Sequence, residues 1–281
     1  MLQLLSLAAR PDLRPQVFSE PFVAAWPKFM LHDETAELYF ARPNLDACLD
    51  TAFAVVDSTH PEVAVGRAFA VPFVFGGPGR ERLPDGGWDT VIRWAHEDRM
   101  LGRPGNVLSA LEITLLPSHR GQGGSGVVLR AMADHARALG YRELFAPVRP
   151  TAKHLEPFTP IGDYAFRTRD DGLPFDPWLR VHVRAGGTIV KVAPASMVIV
   201  GTLGDWTQWT GLAFGSSGQH AVPEALVPVH ISVEQDHGVY VEPNVWLRHS
   251  LAPLRSDFDR LQRAERTVSS RLGGSIVKQE F

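Results

Sequence analysis

Residues 108–148 constrain this chain more than any other stretch. An apolar run (LSALEITLL, 108–116) meets a polar loop rich in glycine (PSHRGQGGSG, 117–126), and a helical segment, a glycine and a second apolar run (ELFAPV, 143–148) follow. Gly121, Gly123, Gly124 and Gly126 lie in the loop with one cation, Arg120, just ahead of them. Glycine lets a backbone turn sharply and approach a ligand with no Cβ in the way. The first N–H groups of a helix have no intrahelical partner, and the helix dipole adds positive charge at that end. Such a strand–loop–helix is suited to a phosphate or pyrophosphate.

The helix is well specified. Val128, Met132, His135 or Ala136, and Leu139 recur at three- to four-residue spacing, while Arg130, Asp134 and Arg137 lie off that face. Gly140 stands where a left-handed stop belongs. The second strand is then expected parallel to the first, through a right-handed crossover. The loop is not a P-loop, because no GK[ST] follows, and it lacks GxGxxG.

The phrase resembles the hallmark of the GNAT superfamily of acyl-CoA-dependent acyltransferases, [RQ]xxGx[GA] within a PxxRGxGxG run. Pro117, Arg120, Gly121 and Gly123 match, and Ser125 stands where glycine or alanine is usual. The resemblance implies a mixed α/β fold whose largely antiparallel sheet has a splayed central parallel pair, with helices on both faces. It implies an acyl-CoA co-substrate, acetyl-CoA first among them. The pyrophosphate would lie on the amides of Arg120, Gly121, Gln122, Gly123, Gly124 and Ser125, and the pantetheine on the backbone of Leu115 and Leu116. A small-molecule amine would attack the thioester directly.

Three side chains are candidates for the proton transfers. Glu112, flanked by apolar Leu111 and Ile113, points opposite to them and could take the amine proton through a water, although it is not at the family's usual offset from the arginine. Set against the family's LYxxxGF phrase, VHVRAGG places His182 where a tyrosine often protonates the CoA thiolate. Tyr164 is the rival donor. Packing and surface roles compete with each assignment. Two other readings stay open: an acyl-CoA-binding module or GNAT-like decarboxylase, and an interaction protein that has lost catalysis.

Composition bounds the partners. A chain of 281 residues that is 44% hydrophobic and 21% charged can bury a core. A net charge of -3 without a basic run gives no footprint for nucleic acid. A single cysteine, Cys48, excludes an internal disulfide and fits a reducing, cytoplasmic compartment. The eleven histidines show no HxxxH or HExxH spacing, so no metal site is expected. GSSG (215–218) is a loop and not a GxSxG elbow. No apolar run reaches membrane-spanning length, and the start reads as a strand or helix instead of a signal peptide.

One GNAT-like domain is expected over residues 1–250, followed by a helical tail over 251–281 that docks on the domain or on a second subunit in a homodimer. Residues 1–8 read as an edge strand, and prolines 11, 15, 21 and 27 break the next stretch into short helical turns. Residues 44–56 read as a helix, 63–75 as strand interrupted near Gly66 and Pro72, 76–88 as a loop and 89–100 as a helix. In 149–177, Lys153, His154, Asp163, Tyr164 and Arg167 could meet an acceptor. Asp176 and Pro177 start a short helix that Gly186 and Gly187 stop. Residues 188–193 and 197–201 read as strands or a hairpin, 205–214 as a short helix, and 228–249 as two strands turning at 236–238.

Overall fold

The computed structural model of the protein describes residues 1–251. Nine strands form one sheet: β1 (Leu2–Ser6), β2 (Ala52–Asp57), β3 (His60–Phe73), β4 (Val107–Leu115), β5 (Glu143–Val148), β6 (Thr188–Gly201), β7 (Gly218–His220), β8 (Val229–Ser232) and β9 (His237–Ser250). They are ordered β1-β2-β3-β4-β5-β9-β8-β7, and β6 pairs with β9. All pairings are antiparallel except β4 with β5, which is parallel. The longer helices are α1 (Gly87–Met100), α2 (Gly124–Ala138), α3 (Ile161–Ala165), α4 (Pro177–Arg184) and α5 (Leu203–Thr210).

Both faces of the sheet are covered, as expected. Successive β2 residues alternate between two cores: Ala52, Ala54 and Val56 join one, Phe53 and Val55 the other. The first core packs α1, α5 and the N-terminal turns; the second packs α2, α3 and α4. In α2 the buried residues are Gly126, Val128, Leu129, Met132 and Ala136; Val128, Met132 and Ala136 lie on the face that the spacing foretold, whereas Leu139, beyond the last turn, is exposed. Gly140 ends it with φ of 90°. The prolines do their part too: Pro11, Pro15, Pro21 and Pro43 stand in the first turns of one-turn helices between β1 and β2.

Three readings need correction. Residues 44–56 are not one helix: a turn, Arg42–Asp46, ends early and Ala52–Asp57 is a strand. That strand is buried on both faces, so its apolar run carries no alternation, and periodicity cannot tell it from a buried helix. Residues 60–73 form one uninterrupted strand through Gly66 and Pro72. Residues 188–201 likewise form one strand against β9, not a hairpin. Pro194, which has no N–H to give, falls where the register shifts between Ala193 and Met197. The tail helix lies outside the described residues.

Gly66 shows how tightly β3 meets the motif strand. A Cβ there would lie 2.5 Å from Leu115 Cδ2 and 2.8 Å from the Thr114 carbonyl oxygen. Gly66→Val should therefore destabilise the fold by about 1–3 kcal/mol, as overpacking does. Urea unfolding would measure it; wild-type stability in the variant would show that β3 and β4 are not in such close contact.

Candidate active site

The parallel pair holds together at one end only. Leu108 pairs with Leu144 and Ser109 with Phe145, and from there β4 and β5 diverge. A bulge in the β3–β4 register between Phe69 and Ala70 leaves Leu111 without a partner on β3. Its carbonyl instead accepts from the Trp88 indole N–H on α1, at 3.2 Å. A cavity of about 1280 Å³ opens at the divergence, with Leu111–Leu115, Ser125, Val148 and His182 among its lining.

One wall is the glycine loop. Gly121 and Gly123 take φ of 78° and 75°, a region that L side chains avoid. Gly123 is the left-handed residue that turns the chain into α2. A Cβ at Gly124 would lie 2.8 Å from Leu2 Cδ1 and 3.0 Å from Leu115 Cδ1, so its absence seats the start of α2 on β1 and β4. The first amides of α2 have no intrahelical acceptor, and Ser125 in that turn lines the cavity together with Arg120. These donors, with one cation and open space at Gly121 and Gly123, fit a pyrophosphate.

The open edge of β4 differs in one respect from expectation. The Leu116 N–H donates to the Val65 carbonyl at 2.9 Å, and the Leu116 carbonyl accepts from His119 N–H at 2.9 Å. The Leu116 N–H is thus not free to bond a pantetheine. Antiparallel pairs alternate between bonded and non-bonded, so Leu115 and Ile113 turn their backbone groups away from β3. Arg120 Nε donates to the Leu115 carbonyl at 2.7 Å. The amides of Ile113 and Leu115 therefore face the gap between the strands.

Glu112 enters from the opposite wall, with its side chain 7% exposed. Its Oε1 accepts from Arg67 Nε at 2.6 Å, from Thr114 Oγ1 at 2.7 Å and from Trp26 Nε1 at 3.2 Å. Arg67 also donates to the Val17 carbonyl and lies over the rings of Phe22 and Phe69. No side chain among the described residues donates to Oε2. Sequence reasoning missed Arg67 and Trp26, whose meeting with Glu112 depends on the β3–β4 register and on the N-terminal turns.

His182 and Tyr164 part company. His182 lines the cavity, 2% exposed; its Nδ1 stands 3.0 Å from His249 Nε2, and the Trp178 ring meets it edge to face. Burial, and then His249, push its pKa down to about 3. Tyr164 does not line the cavity. It is fully buried and donates to Asp176 Oδ2 at 3.0 Å, while Asp176 Oδ1 caps α4. Burial and then the Asp176 charge raise its pKa, so it stays a neutral structural donor. The other polar candidates of that loop divide similarly. Arg167 pairs with Glu156, and buried Lys153 donates to the Glu156 and Leu226 carbonyls; His154 reaches the cavity.

The far wall holds a buried polar chain that no sequence signal marked. Glu242, 0% exposed, accepts from Arg149 Nε and Tyr240 Oη at 2.9 Å and from Asn244 Nδ2 at 3.2 Å. Ser196 donates to Asn244 Oδ1 at 2.6 Å and accepts from the Trp88 N–H at 2.8 Å. The chain ties β5, β6 and β9 to the start of α1.

The sequence matches no protein-family model. It is 31% identical over 277 residues to the arginine N-acetyltransferase avaD of Aspergillus versicolor, covering 88% of this chain and 93% of that protein. Among solved structures, it resembles the loading GNATL domain of CurA from Lyngbya majuscula with a TM-score of 0.54 and 16% identity, over 89% of this chain and 98% of that domain. The GphF GNAT-like decarboxylase in complex with isobutyryl-CoA aligns with a TM-score of 0.46 and 15% identity, over 90% of this chain and all of that one.

The imidazole pair makes a pH prediction. An unfolded histidine titrates near 6.5, whereas the folded His182 stays neutral down to about 3. Below about pH 6.5 the unfolded chain takes a proton that the fold refuses, so stability present above that pH is lost as pH falls towards 3. Denaturation midpoints should drop between pH 6.5 and 4, and His182→Gln should flatten the slope. An equal slope in both proteins would show that His182 is protonated in the fold.

Proposed function

Because the chain belongs to the GNAT superfamily of acyl-CoA-dependent N-acyltransferases, and so carries an acyl group to an amine, we propose that it moves acetyl from acetyl-CoA to an amine of arginine or a similar small cationic acceptor. The observation that carries this reading is the one-ended β4–β5 pair, with the glycine loop at its mouth and Glu112 across the gap. The named relative supplies the acceptor class and the acetyl group.

The loop amides and Arg120 bind the pyrophosphate, and the free edge at Leu115 and Ile113 aligns the pantetheine as an added strand would be aligned. An amide of that edge polarises the thioester carbonyl, which matters most in a site closed to water. Holding amine and thioester together supplies much of the rate. As the nitrogen–carbon bond forms and the carbon–sulfur bond breaks, the proton lost by nitrogen ends on sulfur. Glu112 Oε2 accepts it first, through a water, because Oε1 is already fully engaged.

His182 serves the leaving group, since it reaches the cavity and Tyr164 does not. Held neutral by burial, it acts as a hydrogen-bond donor to sulfur and not as a standing imidazolium. The loss of rate at high pH that an imidazolium acid would cause is accordingly not expected.

Two variants test the assignments, read by thiol release and product mass with acetyl-CoA and an amine panel. Ser125→Trp, in the first turn of α2 at the cavity mouth, should raise the KM for acetyl-CoA by about tenfold or more; an unchanged KM would remove the loop from binding. Glu112→Gln should lower kcat by about a hundredfold, in the range of lost general-base catalysis, with little change in that KM. Wild-type turnover across the pH range would take the base from Glu112. Thiol release with malonyl-CoA and no amine would point instead to decarboxylation.

A further inference from the structure

The cavity wall remote from the glycine loop carries a pair of acids that the transfer step does not use. Asp33 lines the cavity and is 3% exposed; Asp89, in the first turn of α1, is 2% exposed. Asp33 Oδ1 accepts the Thr35 N–H at 2.9 Å. Asp33 Oδ2 and Asp89 Oδ1 are buried and have no donor among the described residues. The two carboxyls are near enough for the Asp33 charge to act on Asp89. Two bare carboxylates so placed repel. Burial, and then the Asp33 charge, push Asp89 up to about 8, and burial raises Asp33 as well. Asp89 therefore keeps its proton at neutral pH while no cation is bound. Arg93 is the charged side chain that faces it, 3.9 Å from Asp89 Oδ2 and 55% exposed to solvent, where water weakens its pull.

The surroundings favour a cation. Glu34, Glu37 and Asp205 line the same side of the cavity. The arginines that line the cavity are Arg67, Arg120 and Arg149; Arg67 is paired with Glu112, Arg149 with Glu242, and Arg120 lies at the glycine loop. Trp209, stacked on His32 at 4.2 Å, also lines this side and adds an indole of the kind that attracts cations.

We propose that Asp33, backed by Asp89, is the seat of the acceptor's positively charged end, a guanidinium or ammonium remote from the nitrogen that is acetylated. The inference rests on the reading of the protein as an acetyltransferase of cationic amines and names the residues that select them. A neutral end of equal shape would leave Asp89 protonated and gain no charge-assisted bond.

The test compares cationic acceptors with neutral isosteres: arginine with citrulline, and agmatine with N-carbamoylputrescine. Wild-type kcat/KM should favour the cationic member of a pair by about tenfold or more, the scale of a hydrogen bond to a charged group. Calorimetry at pH 7 in phosphate and in Tris should find more proton release with the cationic member than with its isostere. Asp33→Asn should bring the preference close to one by raising the KM for the cationic acceptor, with the acetyl-CoA KM unchanged, and Asp89→Asn should abolish the extra proton release. Transfer to both members without preference or extra proton release would overturn the seat while leaving the transferase reading intact. An Asp33→Asn protein that folds, by circular dichroism, yet loses both members equally would also overturn it. No acetylation of any amine would sink the transferase reading itself. The wild-type comparison decides even if a variant fails to fold.

Discussion

The active cavity depends on two parallel strands that pair at two positions and then separate. A continuous β4–β5 ladder would close the gap and bond the amides that now face it. Divergence is held from both sides. On β3, the register shift beside Phe69 leaves Leu111 unpaired, and the Trp88 indole takes its carbonyl. On β9, antiparallel pairing with β5 runs from Glu143 to Val148 and anchors that strand away from β4. The exposed edge is a cost elsewhere in proteins, where unpaired N–H groups invite aggregation. Here it lies inside a cavity and is available to a ligand that can pair with it.

Burial of charge around the cavity follows one rule. Removing one partner of a buried ion pair typically costs about 3–5 kcal/mol, because the other charge is left without compensation. Arg67 with Glu112 and Arg149 with Glu242 each satisfy that demand, and each adds further bonds: Trp26 and Thr114 for Glu112, Tyr240 and Asn244 for Glu242. The two carboxylates nonetheless differ. Both oxygens of Glu242 are engaged, which makes it a brace between β5 and β9. Glu112 is bonded through Oε1 alone, which leaves it an oxygen for chemistry. Orientation by neighbours, not proximity to the cavity, separates the two roles.

Much of the fold was legible because the motif is local. From 108 to 148 each signal, the apolar runs, the loop glycines, the helical spacing and Gly140, acts within a few residues of its cause. The Asp176–Pro177 start of α4 was legible for the same reason. The 44–56 stretch failed because a strand buried on both faces loses alternation, and 188–201 failed because a bulge absorbs Pro194 without ending the strand. The site divides along the same line. The glycine loop was readable; Arg67, Trp26, Asp33, Asp89 and Glu242 come from four separate stretches and meet only through sheet register and the N-terminal turns. Their spacing in sequence bears no relation to their chemistry. Tyr164 and His182 looked alike in sequence, and only burial behind α4 tells the capping bond of one from the cavity position of the other.

The arrangement of charge also limits what each group can do with a proton. Glu112 is fixed by an arginine, an indole and a hydroxyl, so in the proposed reaction a water connects it to the nitrogen. His182 faces the same constraint from the other side: burial opposes the charged form, and His249 offers it a neutral partner where a carboxylate would have favoured an imidazolium. In the proposed reaction such a site stores no proton for the leaving sulfur and relays the one released by nitrogen. Relay over a short path requires nitrogen, carbonyl carbon and sulfur to be held together at once, which is a demand on positioning more than on acid strength. The cavity, the strand edge and the braced far wall meet that demand together, and none of them could meet it on a sheet whose central strands stayed paired.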